Sequence, residues 1–170
     1  MSIQEHRKTA HGTVNCKVIT VSDTRDKETD KSGRLMMDLL EHAGHQIVDY
    51  VIVKDEAEPI RIEILRGCER DDIDVILTNG GTGVAKRDVT IETVQALLDK
   101  EMLGFGEIFR MLSYQEDIGS AAILSRAIGG VVKDTAVFST PGSSGAVKLA
   151  MNKLILPEIG HVVKEIKKDL

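Results

Sequence analysis

The apolar positions of this chain fall into short strand-like runs separated by helical stripes. Val18, Ile19 and Val21 mark CKVITVSD, residues 16–23, as a first strand. The polar stretch DTRDKETDKSG follows and ends in a candidate helix cap at Ser32. Leu35, Met36, Leu39, Leu40 and Ala43 then recur on one helical face, and Gly44 is the kind of residue that closes a helix. Residues 45–55, HQIVDYVIVKD, alternate and then run apolar, which predicts a second strand. Residues 57–70 fit two patterns. Ile60, Ile62 and Ile64 alternate as in a strand. Ile60, Ile64, Leu65 and Cys68 instead share a helical face, with Glu56 and Glu58 at its start and Arg66 and Arg70 at its end, the charge order a helix dipole favours. A parallel sheet needs a crossover here, which decides for the helix.

Residues 74–79, DVILTN, are apolar up to Thr78 and read as a short central strand. After a glycine-rich loop, Thr90 is placed to cap a helix presenting Ile91, Val94, Leu97 and Leu98. A second helix carries Phe105, Ile108, Phe109 and Leu112, and a third covers residues 121–128 and stops at Gly129-Gly130. Residues 135–141, TAVFSTP, form a further strand. A long amphipathic helix follows, which Pro157 should break or kink because it lacks a backbone donor; Ile159, Val162, Val163 and Ile166 resume the stripe. The order βαβαβ, then helices, then βα predicts a single-domain α/β fold: a doubly wound, mostly parallel sheet with helices on both faces. Residues 16–170 form that domain, and the polar residues 1–15 an N-terminal arm, either loose or reaching across a subunit interface.

Composition sharpens this picture. Aromatics are 3% with no Trp, so the core is aliphatic. The net charge of −5 and the absence of a basic stripe argue against nucleic-acid binding, and Lys164, Lys167 and Lys168 suit a helix C-terminus. An acidic chain must hold an anion by local geometry. Cys16 and Cys68 show no CxxC spacing and fit free thiols. No apolar run reaches membrane length and no signal-peptide core is present, so a cytoplasmic location without a membrane partner is expected.

In doubly wound sheets, ligands bind outside the carboxyl ends of the strands. Four segments end there and turn small or acidic: Ser22-Asp23, Lys54-Asp55, Thr78 to Asp88, and Thr140 to Ser144. In the loop NGGTG, Gly80, Gly81 and Gly83 surround Thr82. Such glycines permit positive φ and close approach, so that successive N–H groups form an anion nest. The loop is neither a Walker A nor a Rossmann fingerprint. Lys86 and Arg87 can neutralise phosphate. Asp88 beside the nest is either a Mg²⁺ ligand paired with Asp55 or a cap ahead of Thr90. Ser143 and Ser144, after Pro141 and Gly142, stand where a helix begins and serve either as a second phosphate site or as a simple N-cap. The histidines, His6, His11, His42, His45 and His161, show no ligand spacing, and no serine sits in a GxSxG elbow.

At TVSDTR (20–25), LTNGGTGVAKRDVT (77–90), GFGEIFR (104–110), LSRAIGG (124–130) and PGSSGAVKLAMNKLILPE (141–158), the chain resembles the MoaB/MogA family of molybdenum cofactor biosynthesis proteins, closer to the MoaB branch. The resemblance runs from Lys17 to Glu158. It implies a MogA-like molybdopterin-binding fold, a homotrimer or hexamer, and possible contacts with other proteins of that biosynthesis. The implied activity is transfer of AMP from Mg-ATP to the terminal phosphate of molybdopterin, with release of pyrophosphate. The alternative is a molybdopterin carrier without catalysis. The resemblance further implies Asp55 and Asp88 as the Mg²⁺-dependent catalytic pair. It places Thr78, Gly80, Gly81, Thr82, Gly83, Lys86 and Arg87 on the nucleotide phosphates. Ser22, Asp23, Pro141, Gly142, Ser143 and Ser144 would face the pterin.

Overall fold

The computed structural model describes residue 2 and residues 12–170. The arm predicted for residues 1–15 lies mostly outside them, as do His6 and His11. Val14 is buried and Asn15 opens the first strand, so these two residues belong to the domain.

Six strands make one sheet in the order β2-β1-β3-β6-β5-β4. They are β1 (Asn15–Val21), β2 (Gln46–Val53), β3 (Val75–Asn79), β4 (Lys100–Glu101), β5 (Ile128–Val132) and β6 (Thr135–Thr140). Helices α1 (Lys31–His42), α2 (Ala57–Cys68), α3 (Thr90–Leu97), α4 (Leu103–Glu116), α5 (Ser144–Ala150) and α6 (Leu156–Lys167) surround it. β2, β1, β3 and β6 pair in parallel, whereas β5 is antiparallel to both β6 and β4. The doubly wound, mostly parallel α/β fold is present.

Side-chain alternation along the strands builds two cores. Cys16, Val18, Val75, Leu77 and Phe138 pack with α1, α4, α5 and α6 on one face. Ile19, Val21, Ile76 and Val137 pack with α2 and α3 on the other. The three phenylalanines cluster there in the first core, Phe105 stacking on Phe109 and meeting Phe138 edge-on at 5.1 Å between centroids. Cys16 lies deep in that core, where burial and the charge of Asp74 push its thiol up to about 12.

Several expectations are corrected. Ser32 is not the cap of α1. Asp30 is, its carboxylate accepting from the Gly33 amide at 3.0 Å, while Ser32 is buried inside the helix. Thr90 is the first residue of α3 rather than its cap. Its hydroxyl donates backward to the Gly80 carbonyl at 3.0 Å. The helix predicted over residues 121–128 is instead a 3-10 turn, Gly119–Leu124, followed by β5. Gly129 and Gly130 lie within β5 because only glycine fits. A Cβ at Gly130 would stand 2.3 Å from the Lys100 carbonyl oxygen, and one at Gly129 about 3.0 Å from the Phe138 ring. Ile108, on the apolar stripe that predicted α4, is 44% exposed. The break expected at Pro157 falls just before it, and the proline itself stands in the first turn of α6. A π turn, Met151–Ile155, joins α5 to α6, and the Leu156 amide reaches back to the Met151 carbonyl.

Candidate functional site

The chain moves outward from β1 to β2, then crosses back over β1 to β3. The reversal leaves a crevice at the carboxyl ends of β1 and β3, the place where such folds bind ligands. Three strand ends press together there. The Gly80 amide donates to the Thr140 carbonyl at 3.0 Å. Gly80 has φ +101°, and a Cβ on it would lie 2.2 Å from the Val21 carbonyl oxygen. A Cβ on Gly142 would in turn lie 3.1 Å from the Gly80 Cα. The glycines predicted to permit close approach are needed first for the protein's own backbone.

A cleft of about 520 Å³ opens above this junction. Its floor is the glycine loop, with Gly80, Gly81, Thr82 and Gly83. Ser22, Pro141, Gly142 and Ser143 form one side, and Asp55, Arg87 and Asp88 the rim. The opposite wall comes from the end of α4 and the 3-10 turn, including the buried Ser113 together with Asp117, Ile118, Leu124 and Ser125.

Not every predicted residue enters the cleft. Thr78 is fully buried in β3, where its hydroxyl donates to Ser139 at 2.8 Å, so it supports the sheet. Lys86 is exposed beside the loop and Ser144 is exposed at the start of α5; neither lines the cleft. Asp23 faces a neighbouring depression with Arg25, Tyr50 and Lys54, and its carboxylate accepts from the Asp55 amide at 3.0 Å. Ser143 does line the cleft, and it also caps α5 through the Ala146 amide at 3.2 Å.

The two candidate metal ligands sit against two of the three loop glycines. A Cβ on Gly81 would lie 3.0 Å from Asp55 Oδ1, and one on Gly83 would lie 2.6 Å from Asp88 Oδ2. Asp88 Oδ2 also accepts from the Ala85 amide at 3.0 Å, which folds the loop back on itself. The Asp55 carboxyl is raised by burial and by the charges of Asp23 and Asp88, with Arg87 opposing. A cation at this rim would relieve that crowding of negative charge. Among the described residues no group of three or more His, Cys, Asp or Glu side chains is placed to hold a metal. Two carboxylates at one rim could supply the one or two protein ligands that Mg²⁺ takes, with water and substrate oxygens completing its shell.

Two arginines that the pattern of residues did not single out brace the cleft. Arg25 donates to the Gly142 carbonyl at 3.0 Å and to Ser32 Oγ. Behind it lies a buried polar cluster: Ser32 donates to Asn79 at 2.9 Å, Asn79 to Thr20 at 3.0 Å, and Thr20 to Asp30 at 2.6 Å. Tyr50 also donates to Asp30, and burial together with that bond raises its phenol well above the ordinary value. Arg126 binds the carbonyls of the glycine loop. Both arginines stand in the family-like segments TVSDTR and LSRAIGG, but their partners are backbone atoms remote in sequence, which no local pattern displays.

An open α/β sheet with a glycine-rich loop and two carboxylates at its switch point defines a class of proteins that bind ligands at the carboxyl ends of their strands. Residues 17–161 match the family model described as "Probable molybdopterin binding domain", and the chain belongs to that family, with MoaB and MogA proteins as its structural neighbours. It is 66% identical over 169 residues to the molybdenum cofactor biosynthesis protein B of Bacillus subtilis, covering 99% of each chain. A crystal structure of a molybdenum cofactor biosynthesis protein B superposes with TM-score 0.91 at 62% identity, covering 92% of this chain and 98% of the other. The tungsten cofactor synthesizing protein MoaB from Pyrococcus furiosus superposes with TM-score 0.81 at 38% identity, covering 91% and 98%. Among the described residues no helix is long and apolar enough to cross a membrane.

Proposed function

We propose that the chain acts in molybdenum cofactor biosynthesis by binding molybdopterin and transferring the adenylyl group of Mg-ATP to its terminal phosphate. The observation that carries this reading is the convergence of Asp55, Asp88, Arg87 and the glycine loop on one cleft, with the Gly142–Ser143 turn beside the loop. A phosphate attracted by an anion nest is repelled by a neighbouring pair of carboxylates unless a cation joins them, and Mg-ATP brings both phosphate and cation.

In the reaction, an oxygen of the molybdopterin phosphate attacks the α-phosphorus of ATP. The bond from that phosphorus to the bridging oxygen breaks, and pyrophosphate leaves with the electron pair. Such transfers need positioning and charge neutralisation more than a protein nucleophile. The glycine loop holds the triphosphate, Arg87 adds positive charge at the rim, and the Gly142–Ser143 turn receives the pterin phosphate. Asp55 and Asp88 would hold Mg²⁺, which supplies charge neutralisation at the leaving group. The exposed Leu103, Ile108, Met111 and Tyr114 along α4 support a homo-oligomer in which this face is covered.

Purified protein incubated with molybdopterin, ATP and Mg²⁺ is expected to release pyrophosphate and form adenylylated pterin. Asp88→Asn should still bind the pterin and lose turnover by about a hundredfold or more. Protein that binds molybdopterin but never forms product would sink the enzymatic reading and leave a carrier.

A further inference from the structure

Arg126 reaches from the far wall of the cleft to the back of the glycine loop. Its Nε donates to the carbonyls of Thr82 at 3.0 Å and Gly83 at 3.1 Å. Its Nη2 donates to Gly83 again at 2.7 Å and to the Asp88 carbonyl at 3.4 Å. Glu92, on the first turn of α3, takes the outer edge of the guanidinium, accepting from Nη1 and, at 3.4 Å, from Nη2. That contact holds the Glu92 carboxyl below its ordinary range.

The geometry has a direct consequence for the loop. In a trans peptide the N–H points opposite to the C=O. Capture of the Thr82 and Gly83 carbonyls by Arg126 therefore turns the N–H groups of Gly83 and Val84 away from it. The same fork ties the Asp88 backbone, while the Asp88 side chain is tied from within the loop by Ala85. Val84, Ala85, Lys86 and Arg87 are all exposed, so little packing shapes this segment. A planar five-donor fork can fix three carbonyls together, and a lysine ammonium on a flexible stem cannot reproduce that arrangement.

We infer that Arg126 is a positioning residue for the nucleotide. It holds the loop from Thr82 to Asp88 in its anion-receptive shape and couples it to the wall formed by α4 and the 3-10 turn, with Glu92 steadying the fork. This rests on the adenylyl-transfer reading for the identity of the ligand, but not for the shaping of the loop. The competing account is an ordinary surface ion pair with Glu92, which a lysine would preserve.

Arg126→Lys and Arg126→Gln in the full-length protein separate the two, with both variants run so that a folding defect in one leaves the other. Arg126→Lys is expected to weaken Mg-ATP binding, measured by calorimetry, by about tenfold or more. Molybdopterin affinity should stay within about twofold. Hydrogen exchange at the amides of residues 83–88 should accelerate by about tenfold, with β3 unchanged. Unchanged exchange in a folded variant overturns the inference. So does wild-type Mg-ATP affinity in a variant whose loop has loosened. If the wild type itself binds no Mg-ATP, the adenylyl-transfer reading fails; exchange alone then decides whether Arg126 shapes the loop.

Discussion

Replacing Gly83 by alanine tests how closely Asp88 must sit to act. Gly83 lies outside the left-handed region, so its backbone accepts alanine. The new methyl would stand 2.6 Å from Asp88 Oδ2, 3.2 Å from its Cγ and 3.6 Å from Oδ1. A carbon–oxygen contact needs about 3.3 Å, so the carboxylate must move by roughly 0.7 Å. The move stretches its 3.0 Å bond to the Ala85 amide, a bond worth about 1 kcal/mol. Against that, glycine to alanine at a permitted φ stabilises by about 0.4–1 kcal/mol through the unfolded chain. The two nearly cancel, and the melting temperature should stay within about 4 °C of wild type. Catalysis has no such compensation, because a misplacement near 1 Å can cost about a hundredfold. Differential scanning fluorimetry and pyrophosphate release across a Mg²⁺ titration read the two quantities. A folded Gly83→Ala protein with wild-type turnover at every Mg²⁺ concentration would refute the role given to the Asp88 carboxylate.

Gly80→Ala should behave oppositely. Its φ of +101° costs a side chain about 1–2 kcal/mol, and the methyl meets a β1 carbonyl at 2.2 Å that cannot yield cheaply. A loss above about 3 kcal/mol, or roughly 6–12 °C in Tm, is expected by chemical and thermal denaturation; a shift below about 2 °C would contradict it. Glu63 accepts from the almost fully buried Lys17 at 2.7 Å. Burial alone would raise this carboxyl, but the hydrogen bond and charge of Lys17, with Arg66, outweigh it and hold the group low. Its stabilisation is therefore present above the ordinary carboxylate range and disappears as pH falls through the depressed value. Glu63→Gln should be less stable than wild type at neutral pH, with the gap closing in acid; a gap that persists at low pH contradicts the assignment. Met111→Arg, on the exposed apolar face of α4, should lower the mass measured by light scattering if copies meet there. An unchanged oligomer mass would move the interface elsewhere.

The parallel half of the sheet was legible because each strand there carries its own apolar run and each crossover helix its own stripe. Residues 57–70 were ambiguous locally and were resolved by topology alone. The antiparallel half was not legible. Gly129 and Gly130 look like a helix stop, and they serve in a strand only because Phe105, Phe138 and the Lys100 carbonyl crowd them. In the site, the glycine loop, Asp55 and Asp88 were readable as candidates because they stand at strand ends, and they line one cleft. For Asp23 and Thr78, which also stand at strand ends, the family resemblance implied ligand-facing roles. The structure turns one toward a backbone amide and the other into the sheet. Arg25 and Arg126 stayed hidden because long side chains choose partners across the fold.

The π turn before Pro157 bears on which length changes this chain can accept. Val147, Met151, Ile155 and Ile159 are all buried at intervals of four, a spacing that drifts off one face of a regular helix. The wide turn absorbs the drift, acting as one surplus residue. Deleting the exposed Asn152 or Lys153 would restore spacings of four, three and four, which a regular helix keeps in phase. It would also return Pro157 to a regular helical interior, at a cost of about 3 kcal/mol. The deletion alone should therefore be poorly tolerated, while the deletion combined with Pro157→Ala should not. The surplus residue is thus what lets the proline stand at the start of α6 rather than inside a longer regular helix.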